Sequence, residues 1–565
     1  MTVRLPDQLD LIAAAPDGIQ KLRGLILELA VHGKLVAQDP NDEPASELLK
    51  RIAKERARLE AEGTCKKSKA TPVVDGDEQP FALPPSWAWT RLGTITNFGQ
   101  TDKDGEIRDT TWVLDLEDIQ KDTSVLLRKV TFSERQAKSD KNRFQEGDVL
   151  YGKLRPYLNK VIVADEEGVC TTEILPVRGY HGVFPRYLMH AVKRPDFLAY
   201  VNSKSYGMKM PRLGTDDGRL ALFPLPPANE QHRIVAKVDE LMALCDRLEA
   251  EQADAGAAHA RLVATLLGTL TQSADAAELA ANWQRLGEHF DTLFTTESSL
   301  DALKQTILQL AVMGKLVPQD PNDEPASELL KRIAKELARL EADGKIKKSK
   351  PLPPVGEDEQ PFAIPSNWAW IRLAELGPEF QNGESSRGTP GGSKIVVLRL
   401  ADISNGAVSL SGNRSVELPE SSIEKYRLSK NDLLVIRVNG SAEIVGRLVL
   451  CEEDLDAIYC DHFIRARVTE TSVAPRYLRM TGDSLLVRQQ IQSLFITTAG
   501  QKTVNQGHIG GLIFSLPPLA EQHRIVAKVA ELLALVDRLK ADLAESRTRQ
   551  ERLAATLIES ALQAA

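Results

Sequence analysis

Residues 33–63 read GKLVAQDPNDEPASELLKRIAKERARLEAEG, and the same stretch returns 281 residues later, at 314–344, as GKLVPQDPNDEPASELLKRIAKELARLEADG. Of the 31 aligned positions, three differ: Ala37/Pro318, Arg56/Leu337 and Glu62/Asp343. Such near-identity over a fixed offset means that one structural element is used twice in the chain.

A second repeat follows at a different offset. Residues 225–248 (LPPANEQHRIVAKVDELMALCDRL) recur 291 residues later at 516–539 (LPPLAEQHRIVAKVAELLALVDRL), with 19 of 24 positions identical. The segments enclosed by the repeats, 93–224 and 374–515, barely match each other. The chain is therefore one frame used twice around two different inserts. This organisation suits a protein that holds two distinct readers in a fixed geometry.

The frame is predicted to be helical. The segment that starts at Asp42 offers this aspartate as a candidate N-cap, Pro44 in the first turn, strong helix formers and a stop at Gly63. The preceding segment, 22–36, has apolar residues at helical spacing and ends near Gly33.

The segment after each insert carries apolar residues in steps of four and three, which predicts a helix of roughly 40 residues, about 60 Å long. The steps are Ile234, Val238, Leu241, Cys245 and Leu248, and then Ile525, Val529, Leu532, Val536 and Leu539. Such a seam is typical of an ordinary core helix or of helices that pack along their length. Two matching copies favour antiparallel packing on each other about a pseudo-two-fold axis, with the polar stretch 273–298 as the crossing linker.

The inserts are predicted to be mixed α/β. Alternating apolar runs at 148–163 and 432–450 indicate strand–turn–strand units. Short correspondences suggest that both inserts share one fold with divergent surfaces: VLDLEDI at 113–119 with VLRLADI at 397–403, and FPRYLMH at 184–190 with APRYLRM at 474–480.

The doubled frame closely resembles the specificity subunit of type I restriction–modification systems, in the type IB-like subfamily whose repeat lies before each recognition domain. The resemblance rests on the GKLV blocks and on four short segments, PFALPPSWAW at 80–89, PFAIPSNWAW at 361–370, and the LPPxxEQHRIV segments at 225–235 and 516–526. It implies an α+β fold with two target recognition domains and an antiparallel coiled-coil spacer. The expected divisions are a helical region at 1–79, recognition domain 1 at 80–224, a spacer helix and linker at 225–298, a second helical region at 299–360, recognition domain 2 at 361–515 and a spacer helix at 516–565.

The resemblance also implies a function. Each recognition domain would read one half of a bipartite, asymmetric site in double-stranded DNA. The repeated helices would dock two modification subunits, which bind S-adenosylmethionine and methylate adenine, and restriction subunits would join to cleave. A coiled-coil scaffold without DNA contact is the alternative, but it leaves the unlike inserts without a purpose.

Composition fits a cytoplasmic protein without a membrane segment, and the resemblance implies a prokaryotic one. The chain has 565 residues, 42% hydrophobic and 27% charged, and lacks an apolar run of 18 residues or a signal peptide. Five scattered cysteines without CxxC spacing argue against a disulfide framework or a zinc site. The formal net charge is −8, but 93–224 carries 20 basic against 19 acidic residues and 374–515 carries 15 against 16. Charge alone therefore supports DNA binding only weakly.

The chain itself is expected to be non-catalytic, with no cofactor or metal of its own. It has no GxxxxGK[ST] phosphate loop and no NPP-aromatic motif of an adenine methyltransferase. The EQHR segments at the starts of the long helices are predicted to cap these helices and dock subunits, not to catalyse: Glu230, Gln231, His232 and Arg233, and Glu521, Gln522, His523 and Arg524.

Three loops in each insert carry side chains suited to bases and phosphates and are predicted to contact DNA. In the first insert they supply Gln100, Thr101 and Lys103, then Lys153, Arg155, Tyr157, Asn159 and Lys160, then Lys204, Tyr206, Lys209 and Arg212. In the second insert they supply Asn382, Ser385, Ser386 and Arg387, then Arg437, Asn439 and Ser441, then Gln501, Lys502 and Asn505.

Overall fold

The computed structural model describes residues 9–63, 70–102, 107–135, 141–344, 352–385, 392–404, 406–410, 414–469, 472–498 and 500–564. The chain divides into two compact units. Unit 1 comprises Met1–Ala255 and Ser546–Ala565, and unit 2 comprises Gly256–Glu545. Each unit therefore contains one frame copy and one insert.

Unit 1 contains the first copy of the frame and the first insert. Its helices are α1 Leu9–Ala13, α2 Gly18–Val31, α3 Ala45–Ala61, α4 Leu92–Ile95, α5 Phe132–Arg135, α6 Pro185–Lys193, α7 Pro195–Lys204, α8 Thr215–Leu220 and the first part of α9 Ala228–Gln272. Its strands are β1 Ala88–Arg91, β2 Trp112–Leu114, β3 Val130–Thr131, β4 Lys141–Phe144, β5 Val149–Gly152, β6 Val161–Val163, β7 Gly168–Thr171, β8 Ile174–Val177 and β9 Leu222–Leu225.

Unit 2 contains the second copy and the second insert. Its helices are α10 Ala276–Glu288, α11 Phe290–Leu293, α12 Glu297–Val312, α13 Ala326–Ala342, α14 Glu420–Tyr426, α15 Pro475–Gly482, α16 Leu485–Ser493, α17 Gln506–Gly510 and most of α18 Leu519–Ala564. Its strands are β10 Ala369–Arg372, β11 Glu379–Asn382, β12 Ser393–Leu398, β13 Ile403–Ser404, β14 Ala407–Val408, β15 Arg414–Leu418, β16 Leu433–Ile436, β17 Val438–Asn439, β18 Leu448–Leu450, β19 Ala457–Tyr459, β20 Phe463–Arg467, β21 Ile496–Thr498, β22 Gln501–Thr503 and β23 Ile513–Leu516.

The two inserts share their central strand topology. In unit 1, β2 pairs with β3 antiparallel and with β7 parallel, and in unit 2 β12 pairs in the same way with β15 and β19. The strands β5 and β16 each lie between two antiparallel partners, β6 and β8 or β18 and β20. The strand–turn–strand units predicted at 148–163 and 432–450 are therefore confirmed.

Each insert begins and ends in a short antiparallel ladder that belongs to the frame. In unit 1 this ladder joins β1 to β9, with Trp89 opposite Pro224, and in unit 2 it joins β10 to β23, with Trp370 opposite Ser515. The chain therefore enters and leaves each insert through adjacent strands, so the two covalent connections between insert and frame lie side by side.

The long helices have the predicted length, 45 residues in α9 and 46 in α18. Their seam residues belong to the core of the unit in which the helix starts: Ile234, Val238 and Cys245 are buried in unit 1, and Ile525 and Val529 in unit 2. Each helix then continues into the other unit's residue range. Leu267 and Leu270 of α9 lie in the same unit 2 core as the α18 seam, and Leu557 and Ile558 of α18 pack on the unit 1 core.

Two expectations about the frame need correction. The stretch 273–298 is not a plain linker, because it contains α10 and α11, and Leu286 and Leu293 are buried in the unit 2 core. Asp42 does not cap α3, which begins at Ala45 with Pro44 in the cap position.

The cysteines that the structure describes are free thiols. Cys170, Cys245, Cys451 and Cys460 are buried, and Cys65 lies outside the described residues. None of the helices in the described part of the chain combines the length and the apolar character that crossing a bilayer requires.

Candidate nucleic-acid interface

Each insert is fixed to the frame by a buried joint at the start of the long helix. In unit 1 the Trp87 indole donates a hydrogen bond to Glu230 at 3.0 Å, and Gln38 donates to the other carboxylate oxygen at 2.6 Å. Gln231 accepts from the backbone N–H of Phe184 at 2.7 Å, at the start of α6. The joint therefore links the repeat, the long helix and the insert.

Unit 2 repeats this joint almost without change. Trp368 and Gln319 donate to Glu521 at 2.9 and 2.6 Å, and Gln522 accepts from the backbone N–H of Ala474 at 2.8 Å. Burial raises the pKa of both glutamates, Glu230 and Glu521, although the hydrogen bonds that they accept partly oppose this.

The joint accounts for half of the residues that were predicted to dock subunits. Glu230, Gln231, Glu521 and Gln522 are all buried and hydrogen-bonded within their own unit. A buried, paired side chain cannot reach a partner, so these four residues hold the frame to the insert instead. The two histidines of the EQHR segments, His232 and His523, are exposed.

The arginines of the same segments are half-buried and form ion pairs across the frame. Arg233 pairs with Asp42 and Arg524 with Asp323, each at 2.6 Å. These pairs explain why Asp42 is unavailable as a helix cap, and the arginine hydrogen bond lowers the pKa of Asp42. Among the predicted docking residues, His232 and His523 are thus the ones that the described structure leaves most accessible.

The three predicted DNA loops of the first insert come together at one edge of unit 1. The β5–β6 turn is tied to the loop before α8, since Leu213 N–H donates to Lys153 O at 3.0 Å and Arg155 N–H donates to Pro211 O at 2.7 Å. The loop 97–101 packs against the start of α8, where a β-carbon on Gly99 would lie 2.0 Å from the Thr215 methyl. We call the side chains of these three loops reading surface 1.

Several side chains of reading surface 1 face solvent. Tyr157, Lys204, Tyr206 and Lys209 are exposed, whereas Gln100, Thr101, Lys153 and Arg155 are half-buried. Arg155 has a left-handed backbone conformation with φ of 49°, and its Nε has no hydrogen-bond partner among the described residues. Lys103 lies outside the described residues.

Three predicted contacts of the first insert are engaged internally. Asn159 donates to Lys193 O at 3.2 Å and Lys160 donates to Leu116 O at 2.7 Å, so both side chains stabilise the turn. Arg212 pairs with Glu173 at 3.0 Å, which raises the pKa of the guanidinium. The sequence could not reveal this, because lysine and asparagine donate hydrogen bonds to backbone carbonyls as readily as to DNA.

The second insert brings its three loops together in the same way, and we call their side chains reading surface 2. Val504 N–H donates to Arg437 O at 3.0 Å, which matches the contact made by Leu213 and Lys153. Gln506 donates to Asn382 at 3.1 Å and so joins the first loop to the start of α17.

Reading surface 2 is polar. Asn382, Ser385, Gln501 and Asn505 are exposed, and Arg437, Asn439, Ser441 and Lys502 are half-buried. Some of these groups also shape the loops: Asn439 accepts from Ser441 N–H at 2.9 Å, Lys502 donates to Gly440 O at 3.1 Å, and Asn505 caps α17. Ser386 and Arg387 lie outside the described residues.

The structure adds residues that the sequence analysis did not single out. Met208 and Met210 are exposed beside Tyr206 in the loop before α8. The sequence offered a signal here, because two methionines between Gly207 and Pro211 have no apolar periodicity that would place them in a core.

One group of potential metal ligands occurs in the described part of the chain. Cys460, Asp461 and His462 place one ligand atom each within 4.8 Å of one another, with the cysteine buried and the other two exposed. These consecutive residues offer three donors, whereas a structural zinc site needs four.

No protein-family model matches the chain. It is similar to the specificity subunit of the type I restriction enzyme EcoAI from Escherichia coli, with 39% identity over 96% of this chain and 94% of that protein. It is also similar to the EcoEI specificity subunit from the same organism, with 37% identity over the same shares. A structure solved in work on complex assembly and conformational transition of the type I R-M system has the same general fold, with a TM-score of 0.51, 20% identity, and coverage of 86% of this chain and 99% of that chain.

Proposed function

Because the chain belongs to the family of type I restriction enzyme specificity subunits, we propose that it is the DNA-reading, non-catalytic member of a restriction–modification complex. Reading surface 1 binds one half of a bipartite site in double-stranded DNA and reading surface 2 binds the other. The observation that carries this proposal is the convergence of three loops at equivalent positions of two unlike inserts. Family membership gives no support to the alternative of a scaffold without DNA contact.

The chemistry of the two surfaces supports a division of labour on DNA. Exposed lysines such as Lys204 and Lys209 suit phosphates, which fix register without reading sequence. Arginine and asparagine side chains such as Arg155 and Asn439 suit base edges, where arginine prefers guanine and asparagine prefers adenine. The half-sites therefore differ in sequence, because the two surfaces offer different donors and acceptors.

The frame explains why the proposed site is bipartite and asymmetric. A protein with two identical readers binds a palindrome, since the symmetry of the reader is copied into the site. Here the joints are alike and the surfaces are not, so two different half-sequences flank an unread gap. Two readers on one face of a duplex lie roughly one helical turn, about 34 Å, apart.

Partner subunits supply the chemistry in this proposal. Two modification subunits bind S-adenosylmethionine, extrude the target adenine from the helix and methylate it, and restriction subunits cleave. The exposed His232 and His523, one at the start of each long helix, are proposed as docking contacts for the modification subunits. The restriction subunits are proposed to join through the modification subunits.

Site selection from a random duplex pool tests the function. The purified chain, assembled with its modification subunits, is expected to enrich two fixed half-sequences with a constant gap. The chain alone, incubated with S-adenosylmethionine, is expected to transfer no methyl group and cleave no strand. Enrichment of a single palindrome, or of no sequence, contradicts the proposal.

A chimera sharpens this test. Replacing 93–224 with the first insert of a relative is expected to change one half-sequence and leave the other half and the gap unaltered. The matched control replaces 374–515 and is expected to change the opposite half. A chimera that alters both halves shows that the inserts do not read independently.

The long helices are proposed to act as an antiparallel spacer that sets the gap. The proposal is supported by the presence of both helices in each unit's core: the seam of one helix lies there with the far end of the other. Inserting four residues after Leu248 adds about 6 Å along the helix and a rotation near one turn. The preferred gap is expected to grow by about one or two base pairs. If the gap is unchanged, the partner subunits and not the long helices set its length.

A further inference from the structure

The loop before α8 in unit 1 is a small hairpin at the centre of reading surface 1. Tyr206 and Arg212 exchange backbone hydrogen bonds at 3.1 and 2.9 Å, and the residues between them form the tip. Gly207 turns the chain with φ of 104°, where a β-carbon would lie 3.0 Å from Met210 O. The backbone of the tip is therefore held by its own pairing.

The base of this hairpin is fixed to the rest of the surface. Arg155 N–H donates to Pro211 O at 2.7 Å, and Arg212 pairs with Glu173. The base of the hairpin is thus held both by the β5–β6 turn and by Glu173.

The tip is apolar and exposed. Met208 is fully exposed, Tyr206 is 63% exposed and Met210 is 47% exposed. Apolar side chains grouped in this way at one projection are typical of surfaces that bind a partner. No other part of unit 1 that the structure describes exposes a methionine to this extent.

The corresponding hairpin of unit 2 has no methionine, and the exposed apolar side chain that the structure describes there, Ile496, lies at its base. There β21 and β22 pair antiparallel, with Thr498 opposite Gln501, and Gly500 and Gln501 lie at the turn. The two hairpins occupy equivalent places beside the turns that follow β5 and β16. The methionines are thus particular to the first reader and are not required by the shared fold.

Two exposed lysines flank the apolar side chains in the sequence. Lys204 precedes Tyr206, and Lys209 lies between Met208 and Met210 at the tip. Apolar side chains next to cationic ones are the combination by which proteins insert a wedge between base pairs, where methionine is one of the residues used. A hydrophobic protein partner would gain little from the two lysines, so the surroundings favour DNA.

We propose that Met208, supported by Met210, inserts between two base pairs of the half-site read by the first insert and unstacks them. The wedge rests on the proposed function, because it assumes that reading surface 1 contacts DNA. It adds a second mode of discrimination: steps that unstack easily, such as pyrimidine–purine steps, are preferred at a position that no side chain reads by hydrogen bonding. The second half-site carries no such step preference.

The test uses the chain assembled with its modification subunits on selected duplexes, in which 2-aminopurine replaces single adenines along the first half-site. Stacked 2-aminopurine is quenched, so a wedge that unstacks one step is expected to raise its fluorescence severalfold at that step alone. Permanganate reactivity of thymines reports the same unstacking where adenine is absent. The target adenine, which the modification subunits extrude, gives a separate signal and serves as the internal positive control.

Variants identify the wedge. Met208→Ala is expected to abolish the signal at that step and leave the signal of the extruded adenine intact, whereas Met208→Leu is expected to retain both. Lys209→Ala is the matched control, expected to weaken binding without moving the signal. Because Met208 is fully exposed, none of these changes threatens folding.

The outcomes separate the wedge from the proposed function. Sequence-specific binding without an unstacked step in the first half-site overturns the wedge and leaves the function standing. Failure of Met208→Ala to assemble with the modification subunits also overturns it, since a protein then covers the tip. Absence of any selected site overturns the function itself.

Discussion

The two units hold their inserts by the same joint and differ in what the inserts present. The Trp87 indole donates to Glu230 at 3.0 Å and the Trp368 indole donates to Glu521 at 2.9 Å, each inside a closed core. The reading surfaces carry two methionines and exposed lysines in one unit and mostly amides and hydroxyls in the other. The joint sets the position of the insert and tolerates little change, whereas the exposed loops can change without loss of the frame.

The frame copies also differ in a buried ionisable group. In α2, Glu28 is buried, and burial raises its pKa to about 7. The equivalent residue in α12 is Gln309. His32, which stacks on Phe81, is replaced in the second copy by Met313. Unit 1 thus has a titratable pair where unit 2 has neutral side chains.

The largest effect is expected from breaking the joint. Glu230→Ala or Glu521→Ala leaves the buried indole donor without an acceptor and also removes the hydrogen bond of an exposed amide, Gln38 or Gln319, so it is expected to cost about 2–4 kcal/mol of unfolding free energy. If the joints are equivalent, the two losses agree within about 1 kcal/mol. Hydrogen exchange of peptides from each unit shows which unit has lost stability. Glu240→Ala, at an exposed site of α9, is the control and is expected to change little.

Glu28→Gln tests the difference between the frame copies. The pKa of Glu28 is raised in the folded state, so the stability linked to it is complete below its unfolded pKa of 4.5 and is lost as pH rises through about 7. Glu28→Gln keeps an acceptor for the Asp196 N–H, now 2.8 Å from Glu28, and removes the ionisation. The unfolding free energy of the variant minus that of the parent is therefore expected to rise by about 2–3 kcal/mol between pH 4 and pH 8.

Thermal or denaturant unfolding at several pH values measures this difference. The gain is expected in exchange rates of unit 1 peptides and not in those of unit 2. Equal pH profiles for variant and parent contradict a raised pKa at Glu28.

Arg155→Ala and Asn439→Ala compare the reading surfaces at equivalent positions of the two turns. Arg155→Ala is expected to weaken binding to the first half-site by about 1–3 kcal/mol, or to relax its sequence specificity, if the guanidinium makes a bidentate base contact. Asn439→Ala is expected to act on the second half-site and to cost less, because Ser441 N–H already occupies its oxygen. Competition binding of the assembled complex to duplexes altered in one half-site measures both. If either change affects recognition of the opposite half-site, the two surfaces do not each read one half-site.

The smallest effect concerns the two lysines of the GKLV blocks. Lys34 donates to Leu562 O at 2.5 Å near the end of α18, and Lys315 donates to Thr271 O and Ser273 O at 2.7 and 2.9 Å at the end of α9. A cation beside the last carbonyls of a helix contributes roughly 0.3–1 kcal/mol. Lys315→Ala is therefore expected to cost slightly more than Lys34→Ala, measured by unfolding, with Lys335→Ala at an exposed lysine of α13 as the control. Equal costs would mean that the second carbonyl contributes nothing.

Repetition and apolar periodicity made much of the fold predictable. The steps of four and three correctly indicated the long helices, and the alternating runs indicated the pairs β5–β6 and β16–β18. The helix α10 was missed because an alanine-rich polar stretch is typical of both linkers and exposed helices, and only its burial of Leu286 distinguishes them. Local patterns do not report which distant residues will cover a segment.

The candidate site was predictable as a set of loops and not as a set of side chains. Their convergence could be expected from turns that follow equivalent strands. The inward direction of the Lys160 side chain could not be predicted, because its partner, Leu116 O, is 44 residues away in the chain. The burial of Glu230 was hidden for the same reason: its donors Trp87 and Gln38 are 143 and 192 residues distant.

Unit 1 is built from two separate segments of the chain, and this affects how it folds during synthesis. Ribosomes release residues in order, and domains generally fold as units during synthesis. Unit 2 spans 256–545 and can be completed once those residues have emerged, but unit 1 also requires 546–565. Until then, α2 lacks Ile558 and Leu562, which pack beside it in the finished protein. The half of the protein that is translated first is therefore the half that finishes folding last.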